Sequence, residues 1–239
     1  MVNCPAVTGF TASANTDFNG NDIRQAGNTI TTAAAACEIN PWCRGFNSQG
    51  WIKHSLPSQN TFQGLCFYRR NVQPGGPANG MIVSIGTGTN RQGCIDVPSN
   101  NKAEGVVLHQ WECNGTGAQR WYLEAAGNGR YRVKATDSSL CMGVRESLTA
   151  NGTDVMLWRC SNVNDQLFTF VSSSAMSGAY TIRPVHAPGM CVDISSSSTA
   201  NGARVQIWTC NDSAAQMFSL ADMLNGWGDR DRLGRDGAG

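Results

Sequence analysis

The 239-residue chain reads as a mainly β protein in two parts, a small α+β unit followed by a closed barrel of three pseudo-symmetric repeats. Three observations carry this reading. Cysteines recur as Cys94/Cys113, Cys141/Cys160 and Cys191/Cys210, each pair 19 residues apart (113 − 94, 160 − 141, 210 − 191). Each pair closes on a matching phrase: Leu108-His109-Gln110-Trp111-Glu112-Cys113, Val155-Met156-Leu157-Trp158-Arg159-Cys160 and Val205-Gln206-Ile207-Trp208-Thr209-Cys210. A Gln-x-aromatic triplet then follows in every copy: Gln119-Arg120-Trp121, Gln166-Leu167-Phe168 and Gln216-Met217-Phe218. Successive copies start 47 and then 50 residues apart (141 − 94, 191 − 141), and a fixed period of this size means one supersecondary unit used three times. Three strand-like units, each with its own cysteine pair, predict a closed barrel with up to three copies of one small surface pocket.

Residues 1–71 have a different texture. Thr29 to Ile39 reads as a helix that Asn40-Pro41 ends, because proline cannot continue it. Strand-like runs surround it at Cys43 to Asn47, Gly50 to Lys53 and Leu65 to Arg69. A helix packed on a small antiparallel sheet is the natural solution. Residues 72–80, rich in Gly and Pro, form a turn-rich linker. The repeats occupy 81–222, and within them apolar residues alternate: Val205 and Ile207 point one way, and Gln206, Trp208 and Cys210 the other. Val155 and Leu157 match that first pair in copy two, and Leu108 and Gln110 in copy one. Gln110 is the odd member, polar where its siblings are apolar. Asn151-Gly152 and Asn201-Gly202 sit just before these strands, as hairpin turns would. Residues 223–239 carry alternating charge and four glycines after Trp227, the composition of a disordered tail or linker.

Composition excludes several classes. A formal net charge of +1 with 15% charged residues leaves no electrostatic footprint for nucleic acid or anionic lipid. No apolar run approaches the roughly 20 residues needed to cross a bilayer, so no membrane insertion is expected. Met1-Val2-Asn3 carries no basic leader; either a signal has been removed and a start Met supplied, or the chain is a piece of a longer protein. Ten cysteines, six in equally spaced pairs, read as a disulfide framework and place the chain in an oxidising compartment, extracellular or at the cell surface. Metal binding is the competing reading, but His54, His109 and His186 lack clustered ligand neighbours, and neither a metal nor another cofactor is expected. Sequons at Asn114, Asn151 and Asn211 fit a secreted glycoprotein.

The three copies, with their paired cysteines, Asn-Gly-x-x-Val-x-x-Trp phrasing and Gln-x-aromatic triplets in register, resemble the ricin B-chain type lectin domain, a β-trefoil of three similar subdomains. The N-terminal unit resembles the PAN/apple family. The carriers are Phe18-Asn19-Gly20-Asn21-Asp22-Ile23, the helix ending in Cys37, Pro41 to Asn47 and Trp51-Ile52-Lys53. The family's third disulfide would fall on Ala33 and Gly50, so both partners are absent together. The resemblance leaves Cys37 with Cys43 and Cys4 with Cys66, beside the three equally spaced repeat pairs.

A neutral sugar offers hydroxyl pairs and one C–H ring face. Its site therefore needs a carboxylate, an aromatic plate and amides at the polar edge. In ricin-type lectins these roles fall on the Asp two after the first cysteine, the aromatic two before the second, and polar residues near the second cysteine and the triplet. The resemblance thus implies a carbohydrate site at Asp193, Gln206, Trp208, Asn211 and Gln216 in copy three, and at Asp96, His109, Trp111, Asn114 and Gln119 in copy one. Copy two keeps Trp158 and Gln166 but has Gly143 where the carboxylate belongs. The family's frequent Asn before the triplet Gln is Ala118 and Ala215 in the two fuller copies. Each residue has a second reading: the triplet glutamines as backbone braces, the tryptophans as packing, the aspartates as turn residues.

The expected function is an extracellular lectin-type module for galactose-type or xylan-type glycans. Its partners would be glycans or glycoproteins, with the PAN-like unit making protein or glycan contacts. Asn151 is the expected glycan acceptor. A structural or adhesive matrix protein, with the trefoil as a non-binding scaffold, is the alternative. No enzyme is expected: no nucleophile elbow, metal motif or phosphate loop is present, although carboxylate pairs at glycosidase spacing are not legible in a sequence.

Overall fold

In the computed structural model the described residues are 3–8, 10–18, 20, 22–54, 60–70, 77, 80–89, 91–176 and 178–222. The expected linker at 72–80 lies largely outside them, and the expected tail at 223–239 wholly so. The N-terminal unit comprises β1 (Phe10–Asp17), β2 (Asp22–Gln25), α1 (Ile30–Ile39), β3 (Gly45–Asn47), β4 (Trp51–Lys53) and β5 (Asn60–Arg70). The helix starts where the sequence places it because Thr29 and Thr32 form a reciprocal capping box, Thr32 N–H donating to Thr29 Oγ1 (3.1 Å) and Thr29 N–H to Thr32 Oγ1 (3.3 Å). It ends at Asn40 before Pro41. Its small inner residues, Ala33, Ala34, Ala36 and Cys37, are buried with Phe46, Ile52 and Tyr68 of the sheet, whose strand order is β1-β5-β3-β4-β2.

Cys37–Cys43 closes the helix end, and Cys4–Cys66 ties the chain start to β5. Gly50 lies at φ +89°, and a Cβ there would sit 1.8 Å from the Gly27 carbonyl oxygen, so this backbone leaves no room for the cysteine the resemblance would otherwise place. Two strands, β1 and β2, carry no alternating signal in the sequence. In β1 the register slips between Ala14 and Thr16, with Asn15 at φ +53°, and its exposed middle erases the period of two.

The repeats supply four strands each. These are β6 (Ile82–Thr87), β7 (Gly93–Asp96), β8 (His109–Glu112) and β9 (Trp121–Ala125); β10 (Arg130–Ala135), β11 (Leu140–Val144), β12 (Thr153–Arg159) and β13 (Leu167–Ser172); and β14 (Tyr180–Pro184), β15 (Met190–Ile194), β16 (Val205–Thr209) and β17 (Phe218–Asp222). Pairings β6·β9, β9·β10, β10·β13, β13·β14, β14·β17 and β17·β6 close a six-stranded barrel. Hairpins β7·β8, β11·β12 and β15·β16 cap it, each braced by its repeat's disulfide: Cys94–Cys113, Cys141–Cys160 and Cys191–Cys210. This is the expected β-trefoil. Trp121, Phe168 and Phe218 are fully buried in one core with Ile95, Met142 and Val192.

The threefold closes through equivalent contacts. Gly105 N–H donates to Leu157 O (2.8 Å), Gly152 N–H to Ile207 O (2.9 Å) and Gly202 N–H to Gln110 O (2.8 Å), running from copy one to two, two to three and three to one. The preceding side chain follows the same circuit: Glu104 accepts from Arg159, Asn151 from the Thr209 N–H, and Asn201 from the Glu112 N–H. The three glycines sit at φ +83° to +85°, a region that suits a residue without Cβ. The Asn-Gly pairs therefore end longer loops, each opening with a 3₁₀ turn such as Arg145–Ser147, and are not two-residue hairpin turns. Those turns hold pairs of non-glycine residues at positive φ, Ser99/Asn100, Glu146/Ser147 and Ser196/Ser197.

The two units meet along a packed seam. Trp42 is buried with Ala179 and Met217, and Gly86 is needed where a Cβ would come within 2.9 Å of Pro41. Ser219 Oγ donates to Pro41 O (2.7 Å), Arg44 to Gly178 O (3.2 Å) and Asn40 to Arg91 O (2.9 Å). Arg91 also donates to the His54 ring, 2.7 Å from Nε2. Burial first, and the Arg91 charge second, push the His54 imidazole below its ordinary value, so it accepts as a neutral ring. Among the described residues no helix is long and apolar enough to cross a membrane.

Candidate functional site

Strand register assembles each pocket. In the third repeat Asp193 lies across from Gln206, and Cys191 across from Trp208. In the first, Asp96 faces His109 and Cys94 faces Trp111. Positions two apart on a strand share a face, so the carboxylate and the tryptophan stand side by side on the cap hairpin. The tryptophans protrude: Trp111, Trp158 and Trp208 are 41%, 46% and 40% exposed, whereas Trp121, the remaining tryptophan of the trefoil, is fully buried.

The aspartates are only 5% exposed, and their oxygens are aimed by neighbours. Asp193 Oδ1 accepts from Gln206 Nε2 (3.0 Å) and Oδ2 from Gln216 Nε2 (3.1 Å). Asp96 Oδ1 pairs with His109 Nε2 (2.8 Å), and the His109 ring stacks on Trp111 at 5.4 Å between centroids. That stacking is not legible in the sequence, where His109 is simply a polar residue two before the aromatic. Copy one's carboxylate is thus held by one group and copy three's by two.

The triplet glutamines resolve into one common role. Gln119 accepts from the Asn114 N–H (2.8 Å) and donates to Glu112 O (2.9 Å). Gln166 does the same for Ser161 and Arg159, and Gln216 for Asn211 and Thr209. All three are buried, with 0–3% exposure. They pin the backbone after the second cysteine, which is the brace reading. The side chains of Gln119 and Gln216 lie beneath the polar edge expected of them, and Gln216 alone also touches its carboxylate. Asn114 and Asn211 are exposed at that edge, each turning its Oδ1 back to the N–H two residues on.

Copy two lacks the pair. Gly143 lies across from Met156, and a Cβ at 143 would come 3.1 Å from Gln166 Cγ, so the glutamine brace fills the space a carboxylate side chain would need. The sequence reading passes over Asp165, which stands where Ala118 and Ala215 stand in the other copies and accepts from Ser147 Oγ (2.7 Å). Among the described residues no group of three His, Cys, Asp or Glu side chains is placed to hold a metal ion.

A sequence model of the ricin-type beta-trefoil lectin domain matches residues 80–218, more than half of the chain. No curated protein matches it. Among solved structures, the designed 3-fold symmetric protein ThreeFoil is 23% identical with a TM-score of 0.56, over 59% of this chain and 98% of its own. The Macrolepiota procera ricin B-like lectin, solved in complex with lactose, is 17% identical with a TM-score of 0.53, over 62% of this chain and 99% of its own. An exo-beta-1,3-galactanase from Clostridium thermocellum is 19% identical with a TM-score of 0.55; 72% of this chain is covered, but only 33% of the enzyme's. Identities this low speak to fold alone.

Proposed function

Because the chain belongs to the ricin-type β-trefoil lectin family, we propose that it is an extracellular carbohydrate-binding module taking neutral sugars at its third and first repeats. One observation carries this reading: twice, a carboxylate 5% exposed and held by amides or an imidazole stands beside a tryptophan 40% exposed or more. The indole covers the C–H face of a sugar ring, the carboxylate accepts a pair of hydroxyl protons, and Asn211 or Asn114 closes the rim. Gln206, His109, Gln216 and Gln119 act underneath, as positioning residues. The ligand class is galactose-type or xylan-type. The lactose held by the Macrolepiota procera lectin supports the former. The N-terminal unit, residues 1–71, is read as PAN/apple-like and as the contact point for a protein or glycan partner; the lectin domain spans 81–222. The activity proposed is binding, without catalysis.

A single shallow site of this kind binds at millimolar strength, about −4 kcal/mol, so useful avidity comes from engaging two sites on one target. A glycan array probed with the full chain is the test. Signal confined to galactose- or xylose-containing glycans is the expected result. A blank array would sink the lectin reading in favour of a scaffold.

Glycosylation gives an independent check. Asn114 and Asn211 lie at the rims of the two pockets, and an N-glycan on either would cover Trp111 or Trp208. Asn151 is exposed in the copy without a carboxylate, and its Oδ1 accepts from the Thr209 N–H and hydroxyl. Glycopeptide mass spectrometry of the secreted protein should find Asn151 occupied and Asn114 and Asn211 bare. Full occupancy at both rim positions would count against sugar binding.

A further inference from the structure

One wall of the trefoil barrel carries a charge pattern that sugar binding at the caps does not use. Strand register makes Val83, Tyr131 and Tyr180 equivalent, because each lies across from the buried aromatic of its own repeat, Trp121, Phe168 or Phe218. The alternate positions on these strands then correspond as Ser84, Arg132 and Thr181, as Gly86, Lys134 and Arg183, and, in the last two repeats, as Arg130 and Ala179. In the first and third repeats most of them are small and covered. Ser84 and Thr181 are buried, Gly86 lies against Pro41 and Trp42, and Ala179 is buried with Trp42. On β10, where Tyr131, Val133 and Ala135 face the core, all three positions are partly exposed cations: Arg130, Arg132 and Lys134. Arg183 is the fourth, since Thr169 on β13 lies across from Arg130 on one side and Arg183 on the other. The cations stand about 7 Å apart along β10 and about 10 Å apart across the two strand spacings to Arg183. Lys102, donating to Thr136 O, extends the row beyond Lys134.

Counter-charge is distributed unevenly. The cap arginines each meet a carboxylate: Arg145 (2.8 Å) and Arg204 (3.1 Å) share Asp154, and Arg159 pairs with Glu104 (2.9 Å). On the wall only Arg132 does so, with Glu124 directly across on β9 at 2.8 Å. Among the described residues, Lys102, Arg130, Lys134 and Arg183 have no carboxylate within ion-pair distance. A wall kept soluble by charge mixes both signs, whereas this one holds a single sign in a chain whose net charge is only +1. A row of uncompensated cations on an extended strand suits an extended polyanion, which releases its condensed counterions on binding. All ten cysteines are paired, which fits an oxidising, extracellular compartment, where the polyanions within reach are acidic polysaccharides rather than nucleic acid. We propose that the β10 wall binds a linear sulfated polysaccharide, at a site separate from the neutral-sugar pockets of the caps. The guanidinium forks of Arg130 and Arg183 each donate to two oxygens of one sulfate, while Lys134 and Lys102 act as point charges on its neighbours.

The test titrates the full chain with heparin as the sulfated probe, first at about 50 mM salt and then at rising salt. Neutral dextran, single-stranded DNA and phosphatidylserine vesicles stand for the competing classes. Heparin should bind and dextran should not, with log affinity falling linearly against log salt. Arg130→Ser with Lys134→Ser should weaken heparin binding at least tenfold at low salt and lower the salt slope by about two, roughly one for each cation removed. Glu124→Gln, which removes the one carboxylate paired on the wall, should tighten binding, an outcome that no loss of folding can imitate. Asp96→Ala with Asp193→Ala, and the charge-matched pair Arg24→Ser with Arg204→Ser, should leave heparin binding unchanged. No heparin binding by the wild type would overturn the proposal. So would binding that survives the wall substitutions, or that falls equally with the charge-matched pair. Loss in the double aspartate variant would move the sulfated ligand to the cap pockets, and DNA or vesicles bound as tightly as heparin would reassign the wall to another polyanion; either result overturns the proposal. The neutral-sugar reading stands or falls apart from this one, because the two depend on different ligands and different variants.

Discussion

Asp193→Ala is expected to abolish measurable sugar binding at the third repeat, Asp96→Ala to remove the smaller share contributed by the first, and Gly143→Ala, whose Cβ meets Gln166 Cγ at 3.1 Å, to leave sugar binding unchanged. The carboxylate at 193 is fixed by two amides, Gln206 and Gln216, and so is aimed before any ligand arrives. Hydrogen bonds to a charged acceptor are worth about 1.5–3 kcal/mol each, against roughly 4 kcal/mol for a whole millimolar site. Little affinity survives their loss. At 96 only His109 holds the carboxylate, and at 143 there is no carboxylate to lose. Removing Asp193 also strips Gln206 of its acceptor, so Asp193→Asn serves as the shape-preserving companion: it should retain the fold and still weaken binding about tenfold or more, the equivalent of 1.4 kcal/mol. Calorimetry with galactose and xylose oligosaccharides measures all four variants. Equal losses at 96, 143 and 193 would refute the ranking of the repeats.

Gln110→Leu should destabilise the protein by about 2–4 kcal/mol, even though it makes copy one match its siblings Leu157 and Ile207. Gln110 is fully buried and spends every polar atom. Its Oε1 accepts from Thr87 Oγ1 (2.5 Å) and Thr89 Oγ1 (2.6 Å), and its Nε2 donates to Ser198 O (3.2 Å) and Ala200 O (3.1 Å). Two of those partners belong to copy three, so the side chain helps close the ring between the last repeat and the first. Leucine would fill the volume but leave the buried Thr87 hydroxyl without its acceptor, and it would break the bonds to the half-buried Thr89 hydroxyl and to the Ser198 and Ala200 carbonyls that tie copy three to copy one. A denaturant titration comparing midpoints at constant slope gives the answer. An unchanged or raised midpoint would mean that water or a neighbour satisfies those groups. Leu157→Gln, the reverse exchange in copy two, should also destabilise.

Much of the architecture was legible before any coordinates. The helix limits at Thr29 and Asn40 follow from a threonine cap and a proline, both local effects. The three repeat disulfides follow from a spacing of 19 residues repeated in register, and the core places of Trp121, Phe168 and Phe218 from their common position after a glutamine. The strands β1 and β2 were not legible. Their polar, bulged or very short segments gain stability only from the partner across the sheet. The positive-φ serines and asparagines of the cap turns are invisible for a related reason: nothing in Ser-Ser or Ser-Asn demands that conformation, and the packed hairpins impose it.

At the candidate site the division is sharper. The sequence by itself determined which residues recur, and hence that copies one and three carry an aspartate and copy two a glycine. It left open whether the recurring tryptophans pack or protrude and whether the glutamines touch a ligand or a backbone, because one periodic pattern is compatible with either. Only the tertiary structure decided that the tryptophans protrude and where the glutamine amides spend their bonds. Strand pairing puts Trp111, Trp158 and Trp208 on the outer face of the caps, while the loop after each second cysteine folds back over its glutamine and consumes both ends of the amide. A cavity in the N-terminal unit around Asp17 and Lys53 belongs to the same category, since its lining comes from five strands and a turn spread from residue 17 to 65. Local sequence sets propensity, period and cross-link spacing. Which polar atoms are left with an unspent bond is a property of the whole fold, because every other donor and acceptor must be placed first.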